Sequence, residues 1–113
     1  MTAYAIAHLR QPGEIHPEVS EYLRRIQSTL DPFGGRFLVH GAQAQVVEGV
    51  WPGPIVVISF PDLGRARGWY DSPEYREILP LRTDHLVGDV VLVEGVDPGH
   101  DPAKLAEGLG VAG

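Results

Sequence analysis

Apolar residues recur along this chain with two periods, and the switches between them mark out its elements. In residues 3–10, Tyr4 and Ile6 alternate with Ala5, Ala7 and Leu9, the period-two pattern of a strand whose successive side chains point to opposite faces. Gln11-Pro12-Gly13 then breaks the run. From Pro17 to Leu30 the apolar positions are Val19, Tyr22, Leu23, Ile26 and Leu30, with Glu18, Glu21, Arg24 and Arg25 off that face. This predicts an amphipathic helix, with Pro17 in its first turn, where a missing N–H leaves no bond unmade. Gly34-Gly35 gives a tight turn, and Arg36 to Gly41 read as a second strand.

Glycines and prolines from Gly41 to Pro54 predict a connection, with a short edge strand around residues 45–48. The uncharged, β-branched run from Ile55 to Phe60 predicts a strand inside a sheet. Asp62 is placed to cap a helix in which Leu63, Ala66 and Tyr70 share a face. Ser72 and Pro73 restart the helix, which is expected to run to Leu79 and stop at Pro80. Residues 89–94 form a fourth strand. The end of the chain reads as an irregular tail, with a weak helix near 103–109 and fraying at Gly108, Gly110 and Gly113.

The order β-α-β-β-α-β predicts an α+β, ferredoxin-like fold: a four-stranded antiparallel sheet with helices on one face. One domain over residues 1–96 and a tail over 97–113 are expected. The uncovered face of so apolar a sheet calls for a second copy, giving a homodimeric α/β barrel.

Composition narrows the function. A formal net charge of -6, with Lys and Arg scattered, argues against nucleic acid as a partner. The chain has no cysteine, which removes thiolate nucleophiles, disulfides and Cys-ligated metals and fits a reducing compartment. No signal-peptide pattern and no membrane-length apolar run is present, so a cytoplasmic location without membrane contact is expected. Neither Gly-x-Gly-x-x-Gly nor a Walker pattern occurs, so nucleotide binding lacks a basis.

Several segments together are similar to a family known as a domain of unknown function, number thirteen-thirty, of the dimeric α/β-barrel superfamily. They are Phe33-Gly34-Gly35-Arg36-Phe37-Leu38-Val39, Glu48-Gly49-Val50-Trp51-Pro52, Val57-Ile58-Ser59-Phe60-Pro61, Trp69-Tyr70-Asp71-Ser72-Pro73-Glu74-Tyr75, Arg82 and Val93-Glu94-Gly95, spread over residues 4–96. The resemblance implies the fold and the dimer. It also implies a superfamily of monooxygenases, isomerases, cyclases and stress proteins that act on small organic molecules. Similar chains commonly carry a carboxylate where this one has Ser59 and arginine where it has His40. That exchange points to a specialised substrate.

Strand parity offers candidates for chemistry. Tyr4, Ile6, His8 and Arg10 share one face, as do Arg36, Leu38 and His40, and Ile55, Val57, Ser59 and Pro61. If the faces coincide, His8, His40 and Ser59 converge. Histidine is suited to moving protons near neutrality, so His40 is the expected principal acid–base residue and His8 its partner. Ser59 lacks a nucleophile elbow and is expected to bind substrate. Trp51, Trp69 and Tyr75 are expected to wall an apolar pocket, with Arg36 or Arg82 orienting an anionic group; a salt bridge from Arg82 to Asp84 or Glu77 is the plainer reading. His16 is read at the start of the first helix and His100 in the tail, and local histidine spacing supports no metal site.

The resulting expectation is a small cofactor-independent enzyme that transfers protons on an aromatic or polyketide-like molecule of secondary metabolism, by isomerisation, cyclisation or dehydration. The alternatives are a cofactor-free monooxygenase of the same fold and a non-catalytic, ligand-binding dimer.

Overall fold

The computed structural model describes residues 1–10, 13–51 and 53–109. The order is β1 (Ala3–Arg10), α1 (Pro17–Leu30), a 3-10 turn (Asp31–Phe33), β2 (Arg36–Val39), β3 (Ile55–Phe60), α2 (Leu63–Asp71), α3 (Pro73–Thr83), β4 (Val87–Glu94) and α4 (Pro102–Gly108). The strands form one antiparallel sheet in the order β2-β3-β1-β4, the α+β ferredoxin-like plan. The break expected at Gln11-Pro12 lies outside the described residues, as do Pro52 and the glycines at 110 and 113.

Each helix begins at a side chain that accepts an otherwise unpaired backbone N–H. His16 Nδ1 accepts from the amide of Glu18 at 3.1 Å, Asp62 Oδ1 from Arg65 at 2.7 Å and Ser72 Oγ from Tyr75 at 3.3 Å. The core lies between the helices and one sheet face. Ala5, Ile58 and Phe60 meet Tyr22, Ile26 and Leu30 of α1, Ala66 and Trp69 of α2, and Tyr75, Ile78 and Leu79 of α3. In α2 it is therefore Ala66 and Trp69 that are buried, whereas Leu63, expected on that face, is exposed. Gly35 sits where a Cβ would come within 2.7 Å of Leu30 Cδ2 and 2.9 Å of Phe60 Cε1, so α1 and β3 close directly over its backbone.

Two expectations about local structure need correction. No strand forms at 45–48; the described residues between Gly41 and Pro54 are irregular, and Val46, Val47 and Val50 are exposed. Helix α3 does not stop at Pro80 but continues to Thr83. Pro80 faces solvent, where water can take the carbonyl left without a partner. The extra turn sets Arg82 on the face of Tyr75, Ile78 and Leu79, seven residues after Tyr75.

Candidate functional site

A third departure from simple periodicity decides which candidates meet. In β2, Arg36 pairs with Ser59 and Phe37 with Ile58, but Val39 pairs with Val57. Leu38 is thus an extra residue, and such a bulge reverses strand parity beyond it. His40 consequently turns towards the helix side, where its ring stacks on Phe37 with centroids 4.2 Å apart and planes 11° from parallel. His8 and Ser59 remain on the opposite, open face. The convergence of His8, His40 and Ser59 expected from uninterrupted parity does not occur.

On the open face His8 packs against Trp51 at 4.7 Å, and its Nε2 is buried without a hydrogen-bond partner. Ser59 Oγ reaches the Arg36 carbonyl at 3.5 Å, and Arg36 itself is exposed. None of these four lines the cavity to which His40 belongs.

On the helix side, His40, Trp69, Tyr75 and Arg82 do share a cavity of about 70 Å³, floored by Ala5, Ala7, Val56 and Ile58 of the sheet. Leu23 and His40 are exposed lining residues, so the mouth opens between α1 and the end of β2. The volume is about half that of a cavity that accepts benzene. As it stands, the cavity admits only the oxygen-bearing end of a ligand, and a bound ring has to displace lining side chains. A roomier, shallower groove lined by Leu63, Arg67, Tyr70, Val90 and Leu92 holds no unpaired charge, because Arg67 Nε donates to Asp71 at 2.8 Å.

Polar groups at the inner end of the cavity form a chain. Arg82 Nη2 donates to the Tyr75 hydroxyl at 3.4 Å, and that oxygen lies 2.7 Å from the Tyr22 hydroxyl. The Arg82 guanidinium also lies 5.6 Å from the centre of the Tyr22 ring. Trp69 packs on Tyr75 at 4.1 Å and is itself fixed by Nε1 donating to Thr29 Oγ1 at 3.0 Å. Arg82 is only 6% exposed, and among the described residues no carboxylate pairs with it. The salt bridge read for it does not form, since Glu77 pairs with Arg25 at 3.4 Å.

Burial opposes charge on Arg82, but the tyrosine oxygens outweigh burial and hold its guanidinium protonated above its ordinary range. Burial first, and then the neighbouring Tyr75, drive the Tyr22 hydroxyl well above the usual tyrosine range, so it stays neutral. The site therefore joins one fixed cation to two tyrosine hydroxyls in apolar surroundings, a set of donors suited to an oxyanion. Tyr22 was legible only as part of the apolar face of α1. Nothing local in the sequence connects it to Tyr75, 53 residues away.

The chain resembles solved structures with the same overall plan. RPA0582 of Rhodopseudomonas palustris, a protein of unknown function, superposes with a TM-score of 0.67 at 15% identity, over 86% of this chain and 84% of its own. SnoaB of Streptomyces nogalater, a cofactor-independent oxygenase, gives 0.59 at 12% identity, over 88% and 98%. A dimeric ferredoxin-like protein of unknown function from Thermobifida fusca gives 0.55 at 20% identity, over 81% and 89%. No curated protein sequence matches the chain. No helix among the described residues is long and apolar enough to cross a membrane. A family model, the domain of unknown function DUF1330, matches residues 2–96, and the chain belongs to that family.

Proposed function

We propose that this protein binds a small, largely apolar molecule by a buried oxyanion, a phenolate or enolate, and moves a proton on it without a cofactor. The observation that carries the reading is Arg82, a buried cation without a carboxylate partner among the described residues at the inner end of an apolar cavity. Its partners are tyrosine hydroxyls alone, and an anionic ligand oxygen would add the charge-assisted bond they do not supply. Arg82 and Tyr75 hold that oxygen, Tyr22 orients Tyr75, and Trp69 walls the ring or double bond that carries the charge. His40, at the mouth of the same cavity, is the proton acceptor and donor, because its ring meets both solvent and the ligand. The reaction class is isomerisation, cyclisation or dehydration through a stabilised enolate.

The same enolate could instead react with dioxygen, and the likeness in fold to a cofactor-independent oxygenase supports keeping that outcome in the test. The working form is a homodimer. Tyr4, Ile6, Val57, Val91 and Val93 share the open sheet face, with Val91 and Val93 exposed, and related structures are described as dimeric.

The test uses 4-nitrophenol, which is yellow only as its phenolate, and 2-indanone, an enolisable ketone. Wild type should stabilise the bound phenolate and accelerate deuterium exchange at the ketone's α-carbon. His40→Ala should keep phenolate binding and lose exchange by about a hundredfold or more. Dioxygen uptake with the ketone identifies the oxygenase. Phenolate binding without exchange leaves a binding protein, and no binding sinks the proposal.

A further inference from the structure

A cluster outside the cavity has no part in that function. His16 caps α1, Glu18 lies in its first turn, and His85 follows α3. The two imidazole rings stack with centroids 3.6 Å apart and planes 9° from parallel. Glu18 Oε1 lies 2.7 Å from His85 Nε2, and one donor atom from each of the three residues lies within 4.8 Å of the other two. Neither histidine belongs to the hydrophobic core, so packing does not account for the stack. His16 already presents a lone pair at Nδ1, which accepts from the Glu18 amide. The helix N-terminus suits Glu18 but not a pair of cationic rings.

We propose that His16, Glu18 and His85 form a site for a divalent transition metal, zinc being the occupant that best suits two imidazoles and one carboxylate. The metal would take the place of the hydrogen bond between Glu18 and His85, with water completing a four-coordinate shell. Binding would splay the stacked rings, whose in-plane lone pairs do not converge while the planes lie 9° from parallel. It would draw the donors to about 3.3 Å, the spacing of ligands about 2.0–2.1 Å from a tetrahedral zinc. His16 would release the Glu18 amide if it binds through Nδ1. The ion would tie α1 to the α3–β4 turn. Tyr22 and Leu23 lie one turn further along α1, and Arg82 and Leu86 stand close to His85 in the chain, so the ion would brace two of the elements that line the cavity. The three ligands come from two elements far apart in sequence, which is why local spacing did not reveal them.

Calorimetric titration of the full chain with zinc chloride should give one zinc per chain and a rise in Tm. His85→Asn and Glu18→Gln should weaken binding by at least about tenfold and abolish the rise, whereas His100→Ala should leave both unchanged. Copper(II) supplies a readout independent of stability: its electron paramagnetic resonance should show two coordinated nitrogens in wild type and one in His16→Ala. Absence of zinc binding, or equal zinc affinity in wild type, His85→Asn and Glu18→Gln, would overturn the assignment.

Discussion

Replacing Arg82 by methionine separates ligand binding from folding. The change removes a 3.4 Å hydrogen bond to Tyr75, worth about 1 kcal/mol at that length. It also removes a cation–π contact at 5.6 Å, near the outer limit for such contacts and worth about 0.5–1 kcal/mol. The tyrosine oxygens around the guanidinium already offset its burial, so its removal brings no compensating relief. Methionine fills much of the same space and needs no partner, and the Tyr22–Tyr75 hydroxyl pair survives the change. The ligand-free variant should therefore be less stable than wild type by about 1–2 kcal/mol, or about 3–5 °C in Tm per kcal/mol for a domain of this size. Phenolate binding should meanwhile fall by at least about tenfold. Urea unfolding followed by tryptophan fluorescence measures the first effect, and titration with 4-nitrophenol the second. A variant that loses this stability yet still binds the phenolate as wild type does would make Arg82 a structural residue and refute the reasoning.

Other consequences are equally open to measurement. Because Tyr22 keeps its proton in the folded chain, the unfolded chain alone loses one above about pH 10. Stability should then fall as pH rises, by up to about 1.4 kcal/mol per unit from this group. Denaturant midpoints between pH 9 and 11 should show that slope in wild type and a shallower one in Tyr22→Phe; equal slopes would deny the shift. Gly35→Ala should cost about 1–3 kcal/mol, since its Cβ would enter space held by Leu30 and Phe60; an unchanged Tm would show that these side chains give way freely. Val91 is 55% exposed on the open sheet face opposite Ile6, so Val91→Glu should halve the solution mass measured by light scattering. An unaltered mass would place any dimer contact elsewhere.

The sheet was legible because its strands keep period two and its helices carry recognisable caps, notably Asp62 and Ser72. The site was less so, for three physical reasons. The bulge at Leu38 reverses parity for His40, and no bulge is visible in a run of residues that all fit a strand. Pro80 reads as a stop, yet on the solvent side it costs only one backbone bond, and the turn beyond it delivers Arg82. Tyr22 and Tyr75 look like ordinary apolar-face residues until the fold joins their hydroxyls. Of the residues expected to do chemistry or hold substrate, His40, Trp69, Tyr75 and Arg82 share one cavity. His8, Ser59, Trp51 and Arg36 lie apart from it.

The most direct test is a crystal structure of the protein soaked with 4-nitrophenol. The account predicts the phenolate oxygen within hydrogen-bond distance of Arg82 Nη2 and the Tyr75 hydroxyl, the ring against Trp69 and the nitro group towards His40. A ring bound on the open sheet face beside His8 and Trp51, with the helix-side cavity unoccupied, would contradict it.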